Sequence, residues 1–94
     1  MKYEWDESKR QEIIAVRDLD IRELGPAVFE DPDVKIRDDD RRDYGEERFN
    51  AYGMVGNLRL CLCFTYREGG EVMRFITIFI VNKKDWENKY GKDS

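Results

Sequence analysis

Arg48 and Arg74, with the carboxylates Glu46 and Glu47 beside the first of them, are the residues here best suited to chemistry. A guanidinium grips a phosphate through two parallel N–H donors and stays charged at any physiological pH. Proton transfer would have to come from elsewhere. The chain has no histidine, which leaves Glu46, Glu47, Tyr44, Tyr52, Tyr66, Lys83 and Lys84 as donors or acceptors. Each candidate also has a plainer reading. Arg48 and Glu46, two residues apart, could be a structural ion pair, and so could Arg74 with a carboxylate of a neighbouring strand. Lys83 and Lys84 open a helix, where the dipole disfavours cations, so they are either used for binding or are solvated surface charge. Trp86 and Tyr90 could stack bases, but a spacing of four is more simply a core contact.

Metal chemistry finds little support. Without histidine, the His/Cys ligand sets of zinc are unavailable. Asp38-Asp39-Asp40 could hold a divalent cation, yet the glycine and spacing of a calcium loop are missing. The whole charge run from Asp38 to Asp43 reads more simply as a solvated loop. No metal and no cofactor is expected. Cys61 and Cys63 stand at i and i+2 of one strand pattern, on one face but poorly placed to bond each other. They read as small buried residues in a reducing compartment.

A chain of 94 residues predicts one domain, residues 1–94, with one modest core. Charged and hydrophobic residues each make up 40%, which excludes a disordered chain. The net charge of −4 argues against a generic, salt-driven nucleic-acid binder, which is normally basic. Any nucleic-acid contact must come from a local patch, and the overall balance equally suits a basic protein partner. No apolar run reaches the length of a bilayer span, and the first residues lack the layout of a signal peptide. The expectation is a cytoplasmic protein with no membrane partner.

The elements that position these residues follow from pattern. Met1 to Trp5 alternates weakly, as a short edge strand. Asp6 caps a helix from Glu7 to about Arg17 that turns Ile13, Ile14 and Val16 to a core. Asp20 and Glu23 form a capping box for a second short helix carrying Leu24, Ala27 and Val28. Gly25-Pro26 either kinks that helix or starts it. Asp33 to Arg37 alternates as an edge strand, and Glu46 to Val55 is the next strand. Gly56-Asn57 turns the chain into Leu58 to Tyr66, with Leu58, Leu60, Leu62 and Phe64 on one face and Arg59, Cys61, Cys63 and Thr65 on the other. Glu68-Gly69-Gly70 leads into Glu71 to Val81, apolar on both faces and hence central. Arg74 shares the parity of Val72 and Ile76, so it faces a groove. Asn82 with Asp85 caps a last helix. The order is β-α-α-β-β-β-β-α, an α+β domain built on a small antiparallel sheet with helices packed on it.

Three pieces stand in order along the chain: Glu4-Trp5-Asp6 with Lys9, Val28-Phe29-Glu30-Asp31-Pro32, and Gly45-Glu46-Glu47-Arg48-Phe49. In these, and in the strand–turn–strand and final polar helix of Leu58 to Tyr90, the sequence resembles the BrnT family. The resemblance implies a RelE-like fold, ribonuclease activity as the toxin of a type II toxin–antitoxin pair, and BrnA, a DNA-binding ribbon-helix-helix antitoxin, as partner. On that implication the catalytic set is Arg48, Arg74 and Glu47, and the substrate-binding set is Arg42, Lys83 and Lys84. Cleavage of RNA without a metal would need a base for the 2′-hydroxyl, cations for the transition state and an acid for the leaving oxygen. The sequence departs from the family pattern in three places. Arg17-Asp18-Leu19 replaces a Lys-His-Gly, Arg42 or Asp43 replaces a histidine, and Phe79 stands where an arginine is expected. These departures and the acidic charge leave a second reading: an inactive BrnT-fold module that binds or inhibits a basic partner through Asp38 to Asp43.

Overall fold

The computed structural model describes residues 1–39 and 45–91. Among them the order is β1 (Lys2–Glu4), α1 (Glu7–Arg17), α2 (Ile21–Val28), β2 (Lys35–Asp38), β3 (Phe49–Val55), β4 (Leu58–Arg67), β5 (Val72–Ile80) and α3 (Lys83–Lys89). The five strands form one sheet in the order β1-β5-β4-β3-β2. The fold is α+β, with the element order read from the sequence. The sheet is mixed, not wholly antiparallel, because β1 lies parallel to β5. Two helices separate β1 from the rest of the sheet, so nothing ties its direction to that of the meander.

Local chemistry places the ends. Asp6 accepts the Lys9 amide at the start of α1, and Asp18 closes the helix in the left-handed region at φ 57°. Asp20 caps α2 by accepting the Arg22 amide. The same carboxylate takes a bidentate grip from Arg10 of α1, at 2.8 and 2.9 Å, which joins the two helices. α2 starts at Ile21 and runs through Pro26, so the helix does not begin at the proline. Gly25 is needed by contact: a Cβ there would lie 2.5 Å from the Phe75 ring. Gly56, at φ 58°, turns β3 into β4 with Val55 opposite Leu58.

The two faces of the sheet differ. α1 and α2 cover one face, over a core of Ile13, Ile21, Val28, Leu60, Leu62, Phe64, Phe75 and Ile78. The short α3 covers part of the other, where Trp86 packs with Tyr52, Cys61, Cys63 and Val81. Both cysteines are buried and unbridged, as their shared face predicts. Val16 departs from the expected stripe and is 76% exposed. An eleven-residue helix turns only one side to the sheet, and here that side carries Ile13.

Two strand expectations need correcting. β3 begins at Phe49, so Glu46 to Arg48 lead into the strand without belonging to it. β4, not β5, is central. β1 pairs β5 only at Val72, Met73 and Arg74, so the rest of that edge has no strand neighbour among the described residues. Arg17 partly covers it, donating to the Thr77 hydroxyl and the Ile78 carbonyl. A bulge leaves Ile76 without a Cα partner in β4 and shifts the strand's parity beyond it. Ile76 and Phe79 then pack on the α3 side and Ile78 on the other.

Candidate functional site

The candidate residues form a row across one end of the sheet. Glu4 pairs with Arg74, and Arg74 pairs with Thr65. Phe49 pairs with Phe64, so carrying the antiparallel register one residue further sets Arg48 opposite Thr65. Hydrogen bonds agree with that placement. The Thr65 hydroxyl donates to the Glu47 carbonyl at 2.5 Å, and the Asp39 amide donates to the Arg48 carbonyl at 2.8 Å. Two strand spacings separate the Arg48 and Arg74 backbones, roughly 10 Å. Thr65 lies between them, on the face opposite α1 and α2, since it alternates with Phe64 of the first core.

Each arginine is oriented by a carboxylate. Arg74 Nη1 donates to Glu4 Oε2 at 2.6 Å. Arg48 Nε donates to Glu46 Oε2 at 3.2 Å, the pair that the sequence offered as the plainer reading. The other Glu46 oxygen accepts from Arg67 at 3.3 Å. Arg67 is the residue sequence reasoning missed. Its signal was present, because it continues the Cys61, Cys63, Thr65 parity of β4 onto the same face as Arg74. Only the register of Glu46, two residues before Arg48, reveals the bridge. Three arginines gather at this end of a chain of net charge −4, two paired with Glu46 and one with Glu4, and the exposed Glu47 beside them balances the third positive charge. Glu47 is exposed, and its carboxylate pairs with none of the described cations.

The other candidates are not gathered here. Lys83 and Lys84 are exposed at the start of α3, beyond the far end of β5. The six steps along β5 from Arg74 to Ile80 span roughly 20 Å at strand rise. Arg42 and Tyr44 lie outside the described residues, as does most of the Asp38–Asp43 run. Trp86 and Tyr90 stack on each other at 4.1 Å, and Trp86 is buried in the second core, which removes it as a base-stacking platform. A cavity of about 280 Å³ opens between β2 and α3. Its charged lining is Arg37, Asp38, Asp39, Asp85 and Lys89, and neither candidate arginine reaches it. A phosphate is therefore better matched by the arginine row than by this acidic recess.

α3 is held in place by a buried carboxylate. Asp31 accepts the Met54 amide at 2.7 Å, the Asp33 amide at 2.8 Å and the Tyr90 hydroxyl at 2.8 Å. Burial pushes the Asp31 carboxyl up, but these donors outweigh it and hold the group below its ordinary value. Burial, together with the Asp31 carboxylate, raises the Tyr90 phenol to about 12.

Among the described residues no cluster of His, Cys, Asp or Glu is arranged to hold a metal ion. No described helix is long and apolar enough to cross a membrane. No curated protein matches the chain. The family described as the ribonuclease toxin BrnT of type II toxin–antitoxin systems matches residues 5–85, which takes in β2 to β5, both helices of the first face and Arg48, Arg67 and Arg74, and leaves β1 outside. The chain belongs to the BrnT family of ribonuclease toxins.

Proposed function

We propose that this chain cleaves RNA without a metal ion, through Arg48, Arg74 and Glu47, and that a BrnA-like ribbon-helix-helix antitoxin holds it inactive. The observation that carries this reading is the placement of Arg48 and Arg74 on either side of Thr65 in one cross-strand row. A phosphate seated over Thr65 lies within reach of both guanidinium groups, which would stabilise the charge that builds on its oxygens. Glu47 takes the 2′-hydroxyl proton, being exposed and without a cation partner among the described residues. The 2′-oxygen bonds to phosphorus, the bond to the 5′-oxygen breaks, and the leaving oxygen takes a proton from water. The products are a 2′,3′-cyclic phosphate and a 5′-hydroxyl.

Lys83 and Lys84 meet the RNA backbone several nucleotides from the cleaved bond, at the other end of β5. Arg42, in the connection between β2 and β3, adds to the binding of the strand. Toxins of this class have an RNA substrate and an antitoxin partner. The alternative of an inactive module acting through Asp38 to Asp43 gains no support, and a family of ribonucleases argues against it. Expression without a partner is expected to slow cell growth, and Arg48→Ala to relieve the effect. Normal growth at a high level of soluble, unchanged protein would contradict the proposal.

A further inference from the structure

We propose that Glu46 occupies the place of a substrate phosphate, bridging Arg48 and Arg67 as an internal stand-in that RNA must displace. This rests on the ribonuclease reading and adds Arg67 to its binding surface.

The geometry is that of an anion held by two cations. One Glu46 oxygen lies 3.2 Å from Arg48 Nε and the other 3.3 Å from Arg67 Nη2. A phosphodiester offers two unesterified oxygens in a similar arrangement, and guanidinium groups bind carboxylate and phosphate with the same fork of donors. The bridge is also easily exchanged. The Glu46 side chain is 29% exposed and that of Arg67 45%, so solvent screens both pairs. Neither contact is short enough to mark a tightly locked pair. Glu46 lies outside β3, in the segment leading into it, so it can swing aside without breaking a ladder bond. Arg67 ends β4 one turn of parity beyond Thr65, which places a second phosphate position next to the first. RNA binding would thus trade one carboxylate bridge for phosphate contacts. The unbound protein keeps its arginines oriented and neutralised meanwhile.

A 2′-deoxy oligonucleotide carries the phosphates but no 2′-hydroxyl to attack, so its binding at low salt isolates this exchange. Glu46→Gln and Glu46→Ala are expected to bind it about fivefold tighter than the unchanged protein, the ratio that loss of one exposed ion pair allows. Glu71→Gln removes the same charge from the exposed turn before β5 and is expected to change binding by less than about twofold. Arg67→Ala is expected to weaken binding, and in its background the gain from Glu46→Gln should shrink by half or more. Kinetics on RNA should show a lower KM in Glu46→Gln. Binding by Glu46→Gln no tighter than by Glu71→Gln would overturn the proposal, as would a loss of kcat of about a hundredfold, the mark of a general base. If the unchanged protein cleaves RNA while Glu46→Gln binds no tighter, this inference alone falls. If neither protein binds nor cleaves, the ribonuclease reading falls with it.

Discussion

Glu4 and Arg74 are Cα partners across the parallel β1–β5 pair, and their side chains meet at 2.6 Å. The pair is only part-buried, with side-chain exposures of 37% and 28%. Ion pairs this open to solvent contribute at most about 1 kcal/mol to stability. Arg74→Ala should therefore lower stability by no more than about 1 kcal/mol. RNA cleavage should fall by roughly a hundredfold to a thousandfold, the range for loss of a transition-state donor. Urea denaturation beside single-turnover cleavage separates the two. A variant that unfolds readily while its folded fraction cleaves normally would make Arg74 a structural residue.

Asp31 anchors α3 through three donors, of which the Tyr90 hydroxyl comes from the chain just beyond the helix. Asp31→Ala leaves the Met54 amide without its acceptor in a part-buried place and should cost about 2–3 kcal/mol, measured by urea denaturation. Fluorescence of Trp86 should report the loosening of α3 before the sheet unfolds. The carboxyl is held below its ordinary value, so its contribution is present above the unfolded-state value near pH 4 and is lost as pH falls through the folded one. Asp31→Asn should accordingly flatten the acid side of the stability profile.

Tyr90 gives the opposite sign. Its phenol is raised to about 12 from 10.0, so the folded form binds that proton more tightly than the unfolded form does. The contribution is complete below pH 10 and is lost as pH rises from about 10 to 12. Tyrosinate absorbance should show one late-titrating tyrosine that Tyr90→Phe removes. The appearance of all tyrosinates together near the ordinary phenol value would contradict the Asp31–Tyr90 bond.

Gly25 lies against the Phe75 ring. Gly25→Ala should destabilise by about 1–3 kcal/mol through overpacking, despite the helix propensity that alanine brings. A thermal melt reads this directly, and a variant more stable than the unchanged protein would show that α2 can move off β5.

Much of the fold is written in short-range signals. The Asp6 cap, the alternation of Leu58 to Thr65 and the Asn82 cap each act within a few residues, and the observed elements begin and face as those signals direct. What pattern could not supply was long-range. The bulge at Ile76 depends on how β5 meets β4, and the parallel direction of β1 depends on a crossover through two helices. The candidate site divides the same way. Arg48 stands out by residue type and family resemblance and Arg74 by residue type and strand parity, but their placement on either side of Thr65 is a matter of register. Arg67 and the bridging role of Glu46 become visible only when β3 and β4 are aligned residue by residue. Lys83 and Lys84 look adjacent to Arg74 along the chain, yet an extended strand carries them away from it.

The most direct test is cleavage of RNA by the purified protein in EDTA at low salt, beside Arg48→Ala and Arg74→Ala. The account predicts cleavage that EDTA leaves unchanged, products ending in a cyclic phosphate, and a loss of roughly a hundredfold or more in either variant. Cleavage abolished by EDTA, or retained in both arginine variants, would contradict it.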